Sequence, residues 1–277
     1  MKILNIPAKK MLLLIIIGTV LIGLSGCSTV PITGRRQLKM ISSEKMDRMS
    51  YEAFDQIVHT SKVAVDHEFR DELDRIVGRL SIVANEIVEE HGDLDVSYYK
   101  WDYRIIDMDD YVNAVCLPNG KMLIYTGIIP IAKDETGLAV IMGHEVAHAI
   151  ANHGREQVGR ESLTGFFGAV ITGAISETEA ERERMMSMYN TLAQLGLLLP
   201  YSRVQEYEAD RIGLILMARA GYDPRAAIPF WERMMYRLGD NPYDFMSTHP
   251  ASTKRIEELR QLLPEALEYY HPEQWEN

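Results

Sequence analysis

The chain has 277 residues, of which 47% are hydrophobic and 25% charged, so its composition is that of a folded protein with one large domain or two small ones. The formal net charge of -11 argues against a nucleic-acid-binding protein, because such proteins present a basic face.

The first residues have the pattern of a secretory signal. Lys2, Lys9 and Lys10 precede an uncharged apolar stretch, Met11–Leu24, which is shorter than the roughly 20 residues of a spanning helix. A permanent anchor helix is the alternative interpretation. We prefer a signal that is removed.

A lipoprotein signal is indicated by the residues that follow. The run Leu24-Ser25-Gly26-Cys27 resembles the bacterial lipoprotein box, which is cleaved before the cysteine. We therefore expect residues 1–26 to be a signal peptide and Cys27 to carry a lipid anchor. Ser28 after the cysteine resembles outer-membrane sorting, so the expected location is the periplasmic face of a bacterial outer membrane.

The mature chain is expected to have two parts. Residues 27–43 contain Pro31, Gly34 and two arginines, which is typical of a lipidated tether without regular structure. Residues 44–277 are expected to form the folded domain.

The second cysteine, Cys116, has no disulfide partner once Cys27 is acylated. We expect it to be a buried, unreactive thiol. A nucleophilic thiol is the alternative, although no neighbouring residue in the sequence suggests activation.

Helical and extended patterns follow one another along the domain. Apolar spacing predicts two helices between Ile41 and Glu90. Segments Val96–Ile106 and Lys121–Tyr125 are rich in aromatic and β-branched residues and predict strands, with a turn at Pro118-Asn119-Gly120. The predicted fold class is therefore α+β, mainly helical, with a small sheet.

Two further helices are predicted beyond the sheet. One begins with Asp134 as N-cap, ends at Gly154 and is apolar on all sides, so it is expected to be buried. The other runs from Arg203 to Ala220 and ends at Gly221. The first carries small residues at four-residue spacing, which predict a close helix contact: Ala139, Gly143, Ala147 and Ala151.

The segment between these helices has two interpretations. Leu163–Ile175 is apolar and too short to span a bilayer, and a capping box at Ser176 and Glu179 begins a further helix. The apolar part could contact a membrane surface or cover the site, or it could be a core segment or a loop.

A metal site is indicated within the buried helix. His144 and His148 are four residues apart and so share one helix face, where both imidazoles can bind one zinc ion. Glu145 lies beside them and can reach a water on the metal as a general base. Buried without a cation, these three side chains would carry a large desolvation cost.

A catalytic zinc site needs a third ligand. Ala151 and Gly154 occupy the positions where the extended metzincin pattern has glycine and histidine, so the ligand is expected to be an acid elsewhere. Glu206 is the best candidate, and Asp210 on the same helix face is expected to accept a hydrogen bond from a ligand imidazole.

These residues resemble one protein family. Together with the HExxH helix, the run Ser202–Asp210 is similar to the second signature of the HtpX, Oma and Ste-type zinc endopeptidases. Asn113-Ala114, Pro118-Asn119-Gly120 and Thr248-His249-Pro250 with Arg255 also match, although the family commonly has two glycines where this chain has Asn119-Gly120.

The similarity covers roughly Glu44 to Leu263 and implies a gluzincin fold, one zinc ion per chain and hydrolysis of polypeptides. Because the transmembrane helices of the HtpX and Ste branches are missing, the chain looks most like the soluble periplasmic lipoprotein members. The expected substrates are unfolded or misassembled cell-envelope proteins, which would pair with the strand Met122–Tyr125.

The role of His249 is left open by the sequence. Its side chain could donate to the oxyanion, occupy the open zinc position and hold the enzyme idle, or face solvent at a helix start. Two other functions compete with proteolysis: a zinc-stabilised chaperone or assembly scaffold for outer-membrane proteins, and a non-peptidase metallohydrolase. The intact Glu145 argues against the scaffold.

Overall fold

The computed structural model describes residues 27–39, 41–91, 95–164, 201–237, 245–249 and 252–275. In these ranges the protein is mainly helical with two small sheets, which confirms the predicted α+β class. Among the described residues, no helix combines the length and the apolar character that crossing a membrane requires. The predicted signal peptide, most of Leu163–Ile175 and the Ser176 helix lie outside the described residues.

The predicted helices and strands that fall within the described residues occur in the expected order, among further elements that the sequence patterns did not predict. The helices are α1 Ser43–Thr60, α2 Arg70–His91, α3 Ile129–Ala132, α4 Glu135–Ile150, α5 His153–Thr164, α6 Arg203–Arg219, α7 Ala227–Arg237, α8 Phe245–Thr248 and α9 Thr253–Leu267. The strands are β1 Cys27–Thr29, β2 Arg36–Leu38, β3 Asp102–Ile106, β4 Ala114–Cys116 and β5 Lys121–Tyr125. Short 3-10 turns lie at Val96–Tyr98, Thr126–Ile128, Pro224–Ala226 and Pro272–Trp275.

The N-terminal segment is a hairpin. Strands β1 and β2 pair antiparallel, and Val30 at the start of the connecting turn is 1% exposed. Ile32 also packs on the core, and Arg35 forms ion pairs with acids of α5 and α6. The prediction that residues 27–43 are a tether without regular structure is therefore wrong, because apolar contacts and paired charges fix this segment on the domain.

The second sheet has the strand order β3-β5-β4. Strand β5 is central, because it pairs parallel with β3 and antiparallel with β4. The predicted strand Val96–Ile106 is shorter than expected: the Asp95 side chain accepts a hydrogen bond from the backbone N–H of Ser97 and starts a 3-10 turn there instead. The predicted turn ends at Gly120, which has a φ of 88°.

The buried helix α4 begins as predicted and ends earlier than predicted. The Asp134 side chain accepts a hydrogen bond from the backbone N–H of Gly137 and caps the first turn. The helix ends at Ile150 rather than at Gly154, because Asn152 adopts a left-handed φ of 58°. The chain then enters α5 at His153, so this histidine comes close to the end of α4.

Helices α4 and α6 cross at very short distance. A Cβ atom on Gly213 would lie 3.0 Å from the backbone N of His144 and 3.1 Å from the backbone O of Gly143. The small-residue stripe thus predicted a close contact correctly at Gly143. This contact determines how near the side chains of α6 come to the histidines of α4.

Candidate metal centre

The two histidines of the HExxH motif lie together inside the protein. His144 and His148 are each 2% exposed, and their Nε2 atoms are 3.1 Å apart. Burial lowers the pKa of His148 well below its ordinary value, so this imidazole is neutral and keeps a lone pair for a cation. Their spacing on α4 therefore gives two nitrogen donors directed at one point.

The third predicted ligand reaches the same point from α6. Oε1 of Glu206 lies 3.3 Å from Nε2 of His148, and Oε2 lies 3.6 Å from Nε2 of His144. Burial favours the protonated acid, but Arg255 and His249 outweigh it and hold the pKa of Glu206 well below its usual range. The carboxylate is therefore ionised and available to a metal.

His249 supplies a fourth donor, directly after α8. Its Nδ1 atom lies 3.3 Å from Nε2 of His144 and 3.0 Å from Oε1 of Glu206. The ring stacks on Phe245, with centroids 4.1 Å apart and planes inclined by 9°. His249 is buried, so the solvent-facing alternative is wrong.

The four donors fit a tetrahedral zinc site. His144, His148, Glu206 and His249 each offer one ligand atom, and all these atoms lie within 4.8 Å of one another. Zinc bound about 2.0–2.1 Å from each of four tetrahedral donors would place those donors about 3.3 Å apart, close to the separations given above. The donor types, imidazole nitrogen and carboxylate oxygen, are those that zinc takes in proteins.

Asp210 and Arg255 surround the far side of this set. Oδ1 of Asp210 lies 3.1 Å from Nδ1 of His144, so the aspartate accepts the Nδ1 proton and leaves Nε2 free. Arg255 is buried, donates from Nε and Nη2 to the two oxygens of Asp210 at 2.8 Å each, and places Nη1 2.7 Å from Oε2 of Glu206. Its guanidinium also lies 4.0 Å from the ring centroid of Trp231.

The charges of this cluster also favour a divalent cation. Glu206 and Asp210 have lowered pKa values and are ionised, while Arg255 supplies one positive charge. One buried negative charge therefore remains, and a second appears when Glu145 is ionised. A divalent cation compensates both.

Glu145 lies beside the donors without joining them. Its Oε2 atom accepts a hydrogen bond from the backbone N–H of Cys116, at 3.2 Å, while Oε1 is buried with no hydrogen-bond partner among the described residues. Burial raises the pKa of Glu145 to about 8, and a cation at the neighbouring donors would lower it. An oriented carboxylate with one free oxygen suits the predicted general base.

Cys116 serves this site through its backbone. The thiol is buried, and burial raises its pKa well above the ordinary value, which opposes thiolate formation. A nucleophilic role is therefore not supported, and the expectation of an unreactive thiol agrees with the structure. The other cysteine, Cys27, lies in β1, and its side chain is not among those described.

Some residues of the site were not identified from the sequence. Nδ1 of His153 lies beside Nδ1 of His148, on the side of the His148 ring away from the metal donors. The Tyr201 ring packs against the His148 ring, with centroids 4.1 Å apart. Arg255 was noticed only as part of a matched segment. The sequence does show a third histidine shortly after the motif. That His153 returns to His148 becomes evident only once the turn at Asn152 is known.

Comparisons with known proteins agree with this geometry. The family model described as Peptidase family M48 matches residues 78–263. Mitochondrial metalloendopeptidase OMA1 of Schizosaccharomyces pombe is 34% identical over 242 residues, which are 86% of this chain and 66% of that protein. The human metalloendopeptidase OMA1 is 31% identical, with 86% of this chain and 46% of that protein covered.

A more distant relative is bacterial. The beta-barrel assembly-enhancing protease of Escherichia coli is 28% identical over 160 residues, which are 55% of this chain and 32% of that protein. The chain thus spans 32% to 66% of the length of these relatives.

The predicted location is contradicted by the relatives. Those that match 86% of the chain include the OMA1 proteins of fission yeast and human, which are named as mitochondrial proteins and not as proteins of a bacterial outer membrane. The prediction of that location is therefore wrong. The narrower likeness to periplasmic lipoprotein members likewise has no support in these comparisons.

Proposed function

The chain belongs to peptidase family M48, and on that premise we propose that it is a zinc-dependent endopeptidase that cleaves unfolded or misassembled proteins. One observation carries the proposal: buried donor atoms of His144, His148 and Glu206 converge on one point, and the carboxylate of Glu145 lies beside them. The envelope origin of the substrates, expected from the sequence, is not proposed, because it depended on the location that the relatives contradict.

In the proposed reaction, proton transfer and metal binding are assigned to different residues. When bound, zinc would lower the pKa of a water molecule and polarise a peptide carbonyl. Glu145 takes the proton of that water and returns it to the leaving amine, while its bond from the backbone of Cys116 holds the carboxylate in position. His144, His148 and Glu206 would hold the metal.

We place the substrate on β4 rather than on β5. Strand β5 has neighbours on both sides, so the backbone pairing with Met122–Tyr125 that the sequence suggested is excluded by the sheet order. Strands β3 and β4 are both edge strands, and β4 is the one that contacts the site, through the hydrogen bond from the backbone N–H of Cys116 to Glu145. Backbone pairing at an edge gives little sequence preference, which suits unfolded chains.

We assign the described conformation to a resting form. A catalytic zinc keeps one open position, yet Nδ1 of His249 stands where the fourth ligand would be. Among the alternatives for His249, this geometry favours occupation of the open position over donation to an oxyanion. Substrate binding then requires His249 to leave.

The test is hydrolysis of an unfolded protein by the full chain, with and without a chelator, for the unsubstituted protein and for Glu145→Gln. We expect Glu145→Gln to lose at least about 100-fold in rate while zinc content stays at one ion per chain, because the residue moves a proton and does not coordinate. Exposed Glu232, on α7, provides the matched control Glu232→Gln. An unchanged rate of hydrolysis in Glu145→Gln, or an unchanged rate in the presence of the chelator, would refute the proposal.

Acylation of Cys27 is a separate proposal that makes no claim about location. Its support is the Leu24-Ser25-Gly26-Cys27 run, whose cysteine is the first residue of β1. Mass spectrometry of the mature N-terminus decides it. An unmodified N-terminus, or retention of residues 1–26, would contradict it.

A further inference from the structure

A chain of buried polar contacts lies behind His148, on the side away from the metal donors. His153, the first residue of α5, is fully buried, and its Nδ1 atom lies 2.9 Å from Nδ1 of His148. Its other nitrogen, Nε2, lies 3.3 Å from Oε2 of Glu208 on α6. The proposed mechanism uses neither His153 nor Glu208.

The partners fix the proton positions along this chain. Glu208 is 3% exposed, and its carboxylate accepts a hydrogen bond from Thr33 and forms an ion pair with Arg35. An ionised carboxylate only accepts, so Nε2 of His153 carries the proton. With its one proton on Nε2, the His153 imidazole presents Nδ1 to His148 as an acceptor.

These proton positions determine which nitrogen of His148 carries its proton. Because Nδ1 of His153 accepts, Nδ1 of His148 must donate, and the proton of the neutral His148 ring is then on the side away from the metal donors. Nε2 of His148 is left with its lone pair, directed at Nε2 of His144 and at Glu206. His153 therefore does for His148 what Asp210 does for His144.

The N-terminal hairpin completes the chain of contacts. Thr33 Oγ1 donates to Oε1 of Glu208 at 2.6 Å, and Arg35 Nε donates to Oε2 at 2.5 Å. Arg35 also donates from Nη1 and Nη2 to the two oxygens of Glu156 on α5, at 3.1 and 2.8 Å. The hairpin thus binds both helices that hold this relay, α5 through Glu156 and α6 through Glu208.

We propose that His153 is a positioning residue for the metal site: it accepts the Nδ1 proton of His148, is itself held by Glu208, and is kept in place by Thr33 and Arg35 of the N-terminal hairpin. The inference rests on the proposed function, since it requires a metal at His148. It also gives the hairpin a role beyond packing, because the segment before the first helix determines how firmly one ligand is held.

The sharpest test compares two substitutions of His153 in the full chain. His153→Gln keeps a carbonyl that can accept from His148 and an amide that can donate to Glu208, whereas His153→Leu keeps neither. We measure the zinc dissociation constant by competition with a chromophoric chelator, and the visible absorption of the cobalt-substituted protein. Exposed His59, on α1, provides the control His59→Leu.

We expect His153→Leu to weaken zinc binding by about 10–100-fold and to alter the cobalt spectrum, as loss of a ligand's hydrogen-bond partner does. His153→Gln should stay within a few fold of the unsubstituted protein, and His59→Leu should match it. Circular dichroism and thermal melting of the metal-free forms check that both His153 variants fold.

The hairpin is tested separately with the double variant Thr33→Val, Arg35→Gln. It leaves His153 and Glu208 in place and removes the hairpin's bonds to Glu208, together with those of Arg35 to Glu156, so we expect a loss of zinc affinity smaller than that of His153→Leu.

Three outcomes would overturn the inference, and a fourth concerns the proposed function. Unchanged zinc affinity in His153→Leu excludes the relay, and unchanged affinity in the double variant excludes the hairpin's part in it. Equal loss in the Gln and Leu variants, together with equal loss of metal-free stability, assigns His153 a purely structural role. If the unsubstituted protein binds no zinc or hydrolyses nothing, the proposed function itself fails.

Discussion

At the scale of single residues, each histidine of the HExxH motif has a hydrogen-bond partner for the ring nitrogen that faces away from the metal donors. Nδ1 of His144 faces Asp210, and Nδ1 of His148 faces His153, so both rings present Nε2 to the same point. Two unprotonated nitrogens 3.1 Å apart repel one another unless a cation lies between them. Glu206 completes the donor set from a different helix.

The third ligand is tested by substituting three acids of α6. Glu206→Gln should abolish tight zinc binding, because a metal ligand is lost. Asp210→Asn should lose about 10–100-fold in metal affinity, since Asp210 orients His144 without coordinating. Zinc titration of both variants checks this, with Glu208→Gln as the matched control two residues from Glu206; stronger damage in the control would show that the wrong acid was assigned.

The position of His249 gives a prediction with a definite sign. If its Nδ1 atom occupies the fourth position in the resting form, His249→Ala should raise the basal rate of hydrolysis several-fold and weaken zinc binding, because a competing ligand is removed. The measurement is initial rate on an unfolded substrate at saturating zinc. A large fall in kcat would instead favour donation to the oxyanion, the alternative that the sequence left open.

At the scale of secondary structure, the site depends on how closely α4 and α6 approach. His144 and His148 lie on α4, Glu206 and Asp210 lie on α6, and the helices meet at Gly143 and Gly213. A side chain at that crossing would separate the two halves of the donor set. The close contact is therefore a functional requirement as well as a packing feature.

Gly213→Ala tests this coupling. The added Cβ would meet backbone atoms of α4 at 3.0–3.1 Å, which cannot move away as a flexible side chain could. We expect a loss of about 1–3 kcal/mol in the free energy of unfolding of the metal-free protein, and weaker zinc binding.

Gly78 on α2 provides the matched control for that experiment. A Cβ there meets nothing within 4 Å, so Gly78→Ala should raise stability by about 0.5–1 kcal/mol and leave zinc affinity unchanged. Urea unfolding and zinc titration of both variants give the two quantities. Unchanged zinc affinity in Gly213→Ala would show that the distance between the two helices at this crossing does not determine the geometry of the ligands.

At the scale of the whole molecule, the metal links the stability of the fold to the function of the site. The buried cluster joins α4, α6 and the segment after α8, and without a cation its carboxylates are compensated only in part by Arg255. A ligand that binds only the folded state stabilises it, by about 2.7 kcal/mol at a free concentration 100 times the dissociation constant.

Metal removal should therefore lower the melting temperature. For a domain of this size, 2.7 kcal/mol corresponds to a shift of about 5–11 °C. Differential scanning fluorimetry with and without a chelator measures it, and re-addition of zinc should restore the original value. The variant Glu206→Gln should melt at the same temperature in both conditions; equal shifts in both proteins would show that the metal binds elsewhere.

The sequence by itself indicated the mainly helical class and several of the residues that we propose for the metal site. An i,i+4 pair of histidines fixes its own geometry as soon as the segment is helical, so His144, Glu145 and His148 could be assigned without a fold. Glu206 and Asp210 could be paired on one helix face for the same reason. Their assignment to zinc needed the family resemblance, since acids four residues apart are common on solvated faces.

Only the tertiary structure decided which elements meet. The strand order that places β4 at an edge beside the site, and the hairpin that replaces the expected tether, depend on contacts between elements. The relay from Arg35 to His148 brings together residues that are 173 and 55 positions apart. Local periodicity describes one element at a time, and such contacts depend on the packing of several elements together.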